Sequence, residues 1–307
     1  MSGKLTTLSV VDPWLLSVAV IWGLNAVAVK WLLSYLSPLS FLTFRFIGCS
    51  VLLGGASALW PRAHHSTNRF PHATLVILGL LLAASNLIYT YALALTTASE
   101  ATLIYSTVPI WAAILGLALH SEVLTPTNWA GVVAAAGGVA LIVAGAPLAN
   151  AIISSRVWGD VLMVTAAILY AALMAASKGM LTRHGTLPTL AWMYTIGTMA
   201  LLPFGVSEFG TVDLSMLPLK SYAVLFFSIV LAGGYGSARW FRAVLETGAT
   251  RTAVYQYLVP VVGVGAALLL LGERLSLCQY AGSAAVLLGI ALARLPKSRL
   301  VQGPPTQ

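Results

Sequence analysis

Apolar residues run through this chain in long blocks, separated by short polar or Pro/Gly-bearing interruptions. A bilayer crossing takes about 20 largely apolar residues. Dividing the chain at its interruptions predicts ten such helices, near 13–35, 38–60, 72–95, 98–119, 127–147, 157–180, 187–207, 219–245, 249–271 and 277–295. The longest connection is the polar stretch PRAHHSTNRFPH (61–72), and the polar, proline-bearing segment 296–307 is expected to be a disordered tail. The first run follows Lys4, as the apolar core of a signal peptide would. It nevertheless extends from Trp14 to Leu36, long enough to span, and lacks a small-x-small cleavage site.

The ten segments fall into two sets of five that repeat. Shifting residues 92–142 by 151 lays them on 243–293 without a gap, with 15 of 51 pairs identical, among them Pro109/Pro260, Glu122/Glu273, Gly131/Gly282 and Gly138/Gly289. A shift of 148 lays Trp22 on Tyr170 and Lys30 on Lys178. Five is odd, so the second unit must enter the membrane upside down relative to the first, the inverted-repeat plan of many secondary transporters. The expected fold is therefore an all-α polytopic membrane protein of ten transmembrane helices in two inverted five-helix repeats, 1–147 and 157–295.

Composition agrees with this pattern. Apolar residues make up 59% of the chain and charged residues 8%, with a mean hydropathy of +0.91. A soluble domain carries roughly 25% charge; a chain this poor in charge must have lipid as its main solvent. The net charge of +8 comes from basic residues scattered singly at segment ends, with no stripe to grip nucleic acid. Cys49 and Cys278 are small apolar fillers and predict no disulfide. With the N-terminus inside, the inner set holds Lys4, Arg62, Arg69, Arg183, Arg251, Arg294, Lys297 and Arg299, and the outer set Arg156, Lys220 and Arg274. That bias predicts cytoplasmic termini, and the compact loops suit an inner (plasma) membrane.

Candidate chemistry lies in the polar residues within these spans. Pro109 and Pro260 each remove a helical hydrogen bond and clash with the carbonyl four residues back, at Tyr105 and Gln256. They occupy equivalent places in the repeats and are candidate hinges; the competing explanation is a packing kink. In the eighth span Tyr235, Arg239, Arg242 and Glu246 share one helical face. Arg239 is the deepest of these and the first candidate to grip an anionic group, because guanidinium matches a carboxylate. Arg242 and Glu246 fit an intrahelical pair at the rim. Trp22 and Asn25 share a face of the first span, Asn86 and Tyr89 a face of the third, opposite Ser237 and Trp240 by the repeat. Tyr170, Met174 and Lys178 form a stripe on the sixth span. Lys30 and Lys178 lie near segment ends, where they can snorkel to the interface; Arg45, in the second span, is a secondary candidate for the same reason.

The stretch ALALTTASEATLIYSTVPIWAAILGLALHSEVLTPTNWAGVVAAAGGVALI and its repeat AVLETGATRTAVYQYLVPVVGVGAALLLLGERLSLCQYAGSAAVLLGIALA resemble EamA-type members of the drug/metabolite transporter superfamily. The mid-helix Pro, the GERL turn (272–275) and the later Ala281-Gly282 carry the likeness; HSEVL (120–124) departs from it at His120 and Ser121. The resemblance implies a central cavity lined by the first, third, fourth, sixth, eighth and ninth helices. Its candidate substrate contacts are then Trp22, Asn25, Asn86, Tyr89, Tyr105, Tyr170, Arg239, Trp240, Gln256 and Tyr257, with Pro109 and Pro260 as hinges and Glu122 and Glu273 architectural. It also implies export of amino-acid-like, aromatic or other carboxylate-bearing metabolites or drugs by alternating access, with no cofactor, metal or nucleic acid. A channel or facilitator for small neutral or cationic solutes is the alternative. An intramembrane enzyme lacks support, since no HExxH motif or membrane aspartate pair is present. No Gly-rich phosphate loop is present to bind ATP. No carboxylate falls clearly at mid-depth, which favours facilitated diffusion or exchange, with Glu100 the alternative proton-coupling group. The partners expected are a small-molecule substrate and the lipid bilayer; oligomeric state is left open, and a monomer is compatible.

Overall fold

The computed structural model describes residues 12–59, 72–118, 125–145, 152–209, 216–247 and 255–293. The connection 61–71, Glu122 and the tail 296–307 lie outside them. The described residues are helical throughout, with no strand. The helices are α1 (Pro13–Leu32), α2 (Pro38–Leu59), α3 (His72–Leu95), α4 (Ala98–Tyr105), α5 (Val108–Ala118), α6 (Pro126–Ala144), α7 (Ile152–His184), α8 (Thr186–Phe209), α9 (Leu219–Phe226), α10 (Ser237–Thr247), α11 (Leu258–Leu270) and α12 (Leu277–Ala293). A π-helical segment, Phe227–Gly236, joins α9 to α10. Eight apolar stretches are long enough to cross a bilayer, α4–α5 and α9–α10 each counting as one; α11 and α12 are the shorter apolar pair. Each of the ten predicted segments thus has helix among the described residues; the fourth and ninth are broken and the eighth contains π-helical turns.

Local chemistry accounts for many of the helix ends. Asp12 caps α1, its Oδ1 accepting from the Trp14 amide at 2.9 Å, and Pro13 takes the first position, where its missing N–H costs nothing. Thr125 and Asn128 form a capping box on α6; Ser276 and Gln279, 151 residues on, form the matching one on α12. The fourth span breaks at Ser106–Thr107 and the ninth at Tyr257, each two or three residues before its proline. Pro109 and Pro260 therefore sit in the first turn of a restarted helix, the place a proline tolerates best. At the first break the Ser106 and Thr107 hydroxyls donate to the Leu103 and Ile104 carbonyls, both at 2.6 Å.

One sequence expectation is corrected here. Arg156 was assigned to an outer connection, but α7 starts earlier than residue 157 and carries Arg156 in its second turn, where it pairs with Glu100. A satisfied charge does not end a helix.

The inverted repeat is visible in packing. The most extensive helix contact joins α6 to α12, antiparallel. A Cβ on Gly138 would lie 2.7 Å from the Gly282 carbonyl oxygen, one on Gly282 2.6 Å from the Gly138 oxygen, and one on Gly289 2.6 Å from the Gly131 oxygen. The repeat equates Gly131 with Gly282 and Gly138 with Gly289. The contacts are therefore reciprocal, as a two-fold axis between the repeats requires. Close backbone approach of this kind holds helices together where lipid removes the hydrophobic advantage of burial. Gly138→Ala or Gly282→Ala should lower the unfolding free energy by about 1–3 kcal/mol through overpacking. Gly265→Ala, whose Cβ enters open space, should cost nothing. Unfolding in mixed micelles measures this, and equal stabilities for the three variants would contradict the packing account.

Candidate functional site

A cavity lies between the two repeats, with about 930 Å³ of atom-free space when its open mouth is included, an upper bound on a ligand's room. Of the candidates named from sequence, Trp22, Asn25, Asn86, Tyr89, Tyr105, Tyr170 and Gln256 line it. They come from α1, α3, α4, α7 and the short turn before α11. Three pairs that the repeat makes equivalent are among its lining residues: Trp22 with Tyr170, Asn86 with Ser237, and Tyr105 with Gln256. The pseudo-two-fold axis thus passes through the cavity.

Aromatic packing sets the wall. Tyr89 meets Tyr105 edge-on at 4.9 Å between centroids, and Tyr105 meets Tyr170 at 5.9 Å. Such geometries suit ring quadrupoles. The Trp22 Nε1–H donates to the Ala232 carbonyl at 3.1 Å, inside the π-helical segment. π-helical turns within α-helices are frequent at functional sites.

Three candidates are not among the lining residues. Arg239 lies at the N-terminal end of α1, with Nη2 3.9 Å from Asp12 Oδ2 and its guanidinium 5.7 Å from the Trp14 ring centroid. Ser237 and Phe241, on either side of it in the same helix, do line the cavity, so Arg239 stands at that depth but on the opposite helical face. Trp240 is fully buried and packs on Trp22, with centroids 5.2 Å apart, so it backs the wall. The Tyr257 hydroxyl donates to the Ile290 carbonyl at 3.1 Å, tying the break before α11 to α12. Arg242 and Glu246 make the expected exposed pair at 2.6 Å.

The polar stretch Tyr255-Gln256-Tyr257 therefore serves three places. The Tyr255 hydroxyl accepts the Asp12 amide at 2.7 Å, Gln256 faces the cavity, and Tyr257 holds α12.

Arg45 and Tyr194, from the second and seventh spans, also line the cavity. The sequence offers Arg45 only as a secondary candidate and carries no signal for Tyr194. Arg45 is only 8% exposed and makes no ion pair among the described residues; its Nε has no hydrogen-bond partner, and neither does Asn25 Oδ1. Buried polar atoms are nearly always bonded, and these two unbonded ones belong to residues that line the same cavity. The available signal was Arg45 itself, an arginine eight residues inside an apolar span.

Other charges serve architecture. Lys30, assigned to the interface, instead donates to the Leu93, Ala94 and Thr96 carbonyls at 2.8, 3.1 and 2.6 Å, closing the end of α3. Glu273 accepts the Ala98 and Ser99 amides at 2.8 and 3.0 Å, capping α4. Cys49 is buried, Cys278 exposed, and both are free.

Comparison with known proteins agrees with this architecture. The sequence profile of the EamA-like transporter family matches residues 10–144 and 157–295. An uncharacterized transporter of Archaeoglobus fulgidus is 28% identical over 277 residues, covering 89% of this chain and 93% of that one. An S-adenosylmethionine uptake transporter of Rickettsia bellii is 27% identical, covering 89% of each. One solved crystal structure superposes with a TM-score of 0.63 at 19% identity over 92% of this chain and 95% of that one, a likeness of fold alone. The chain belongs to the EamA-like transporter family. It is a multi-pass membrane transporter of small molecules rather than an enzyme.

The Arg239 contact is long and its partners are 25% and 32% exposed, so Arg239→Ala should cost under about 1 kcal/mol of stability. Thermal unfolding of the purified variant checks this; a collapse of the fold would mean that Arg239 carries a buried charge.

Proposed function

We propose that this member of the EamA-like transporter family moves a carboxylate-bearing metabolite with an aromatic or amino-acid-like body, by alternating access through the central cavity. The observation that carries the substrate class is Arg45, a buried guanidinium without an ionic partner in a cavity walled by tyrosines and Trp22. A buried charge is costly until paired, and a planar guanidinium fork pairs best with a carboxylate. The tyrosine rings and Trp22 offer a surface to an aromatic group, while Asn25, Asn86 and Gln256 offer both donors and acceptors. Arg45 thereby takes the role that the sequence suggested for Arg239. S-adenosylmethionine, named for the Rickettsia relatives, has this chemistry, a carboxylate together with an aromatic base.

The two helix breaks support alternating access. Each joins a cavity residue, Tyr105 or Gln256, to a restarted helix bearing Pro109 or Pro260, at equivalent positions in inverted repeats. Such breaks are compliant points about which the repeats exchange shapes. The scattering of Lys and Arg supports cytoplasmic termini in a plasma membrane.

Purified protein should be stabilised against heat by S-adenosylmethionine or simpler aromatic carboxylates. Arg45→Gln should abolish most of that shift, while Arg239→Gln should retain it. Shifts retained in Arg45→Gln, or produced equally by cationic amines, would overturn the substrate class. In proteoliposomes, Pro260→Ala should slow exchange of the stabilising compound about tenfold with little change in its affinity. An unchanged rate would remove the hinge role.

A further inference from the structure

A second polar cluster sits at the opposite end of the bundle from Arg239, where α3 ends and α4 and α12 begin. Glu100 is fully buried there. Arg156 grips it with Nε at 2.7 Å from Oε2 and Nη2 at 2.6 Å from Oε1, and Gln279 of α12 donates to Oε1 as well. The Thr97 hydroxyl adds a contact at 3.0 Å. The same site holds a second acid, Asp160. Asp160 is 1% exposed, and no cation pairs with it among the described residues. Its Oδ2 is buried without a partner.

One hydroxyl lies between the two acids. Thr96 Oγ1 is 2.7 Å from Glu100 Oε2 and 2.6 Å from Asp160 Oδ1. A threonine hydroxyl has a single proton to give. With both carboxylates ionised, one of these short contacts would set lone pair against lone pair. One acid must therefore carry a proton. Glu100 already has the guanidinium and the Gln279 amide and needs none. The chain of donors then runs from the Asp160 carboxyl O–H to Thr96, and from Thr96 to the Glu100 carboxylate.

We propose that Asp160 is the proton-binding site that couples transport by this protein to a proton, and that the bound proton holds this end of the bundle shut. The inference rests on the transporter reading but not on Arg45 or the substrate class. On release, the Asp160 O–H bond breaks and the proton passes to water; Thr96 keeps its own proton, and Glu100 stays ionised against Arg156. Two carboxylates would then face each other across one hydroxyl, and α7 must part from the α3–α4 junction to hydrate Asp160. That contact is tight: a Cβ on Gly159 would lie 3.0 Å from the Thr96 amide nitrogen. Opening there bears on the cavity, because α3, α4 and α7 carry Tyr89, Tyr105 and Tyr170.

The surrounding charges are consistent with this assignment. Lys30 of α1 is held by three backbone carbonyls, and Glu273 by the two α4 amides. α5 has no ionisable side chain. Glu208 of α8 lies against Ser37 and Ser40, and the charges of α10 are at the other end. The shift of 148 that equates Trp22 with Tyr170 also equates Asp12 with Asp160. Asp12 stands at the opposite end, partly exposed and within reach of Arg239. The two repeats thus set an aspartate at each end of the transport path, one solvated and one dry.

Infrared spectroscopy of the full-length protein at neutral pH should reveal the carbonyl stretch of a protonated carboxylic acid that is lost in Asp160→Asn. Raising the pH should remove the band and widen the distance between spin labels at Ser34 and Trp158, both exposed; in Asp160→Asn the distance should not respond. If that variant does not fold, Asp160→Glu, which keeps the acid but displaces it, should shift the pH at which band and distance change. A wild-type spectrum without the band, or a distance indifferent to its loss, would overturn the proposal. Neither readout needs a substrate, so failure here leaves the carboxylate reading standing, and failure of the ligand screen leaves this one standing.

Discussion

Inside a bilayer a backbone group released from its helix has no water to bind. That constraint governs where this protein can bend. Each helix break and each buried helix end must bring its own partners, and the polar side chains of the chain are largely spent on supplying them. Ser106 and Thr107 cover carbonyls at the first break, Lys30 closes α3, Glu273 caps α4, and Tyr257 binds an α12 carbonyl. The breaks adjoin the cavity, since Tyr105 and Gln256, which line it, stand immediately before them.

The two-fold relation underlies the proposed exchange between two arrangements. Gly138 against Gly282 and Gly289 against Gly131 form a reciprocal seam of close backbone contacts, flanked by Ala135, Ile142 and Val286. Such a seam would give the proposed movement a fixed support. Where the symmetry fails, chemistry appears. Arg45 lines only one side of the cavity, and Asp160 is buried within α7 while its counterpart Asp12 caps the exposed start of α1.

Fold was legible because it depends on features written locally. Block length gave the spans, and the matched prolines and glycines gave the repeat. The cavity was legible where repeat and helical face agreed, as for Trp22, Asn86, Tyr105 and Tyr170. It was not legible at Arg239, because packing decides which face of α10 meets the cavity, and that face carries Ser237 and Phe241. Asp160 was not legible, and Arg45 only weakly, for a different reason. Each is a single charge in an apolar span, and only the fold reveals that one lacks an ionic partner while the other shares a hydroxyl with Glu100. Arg156 looked like a loop residue until its partner, 56 positions away, was in place.

Alternating exposure of the central cavity is the claim on which the rest turns. A single cysteine at Asn86, in a chain with Cys49 and Cys278 replaced by alanine, can be challenged with a membrane-impermeant maleimide in vesicles of each orientation. Labelling from both faces, with a transported compound shifting the balance between them, is the predicted result. Labelling from one face only, whatever compound is present, would contradict the account.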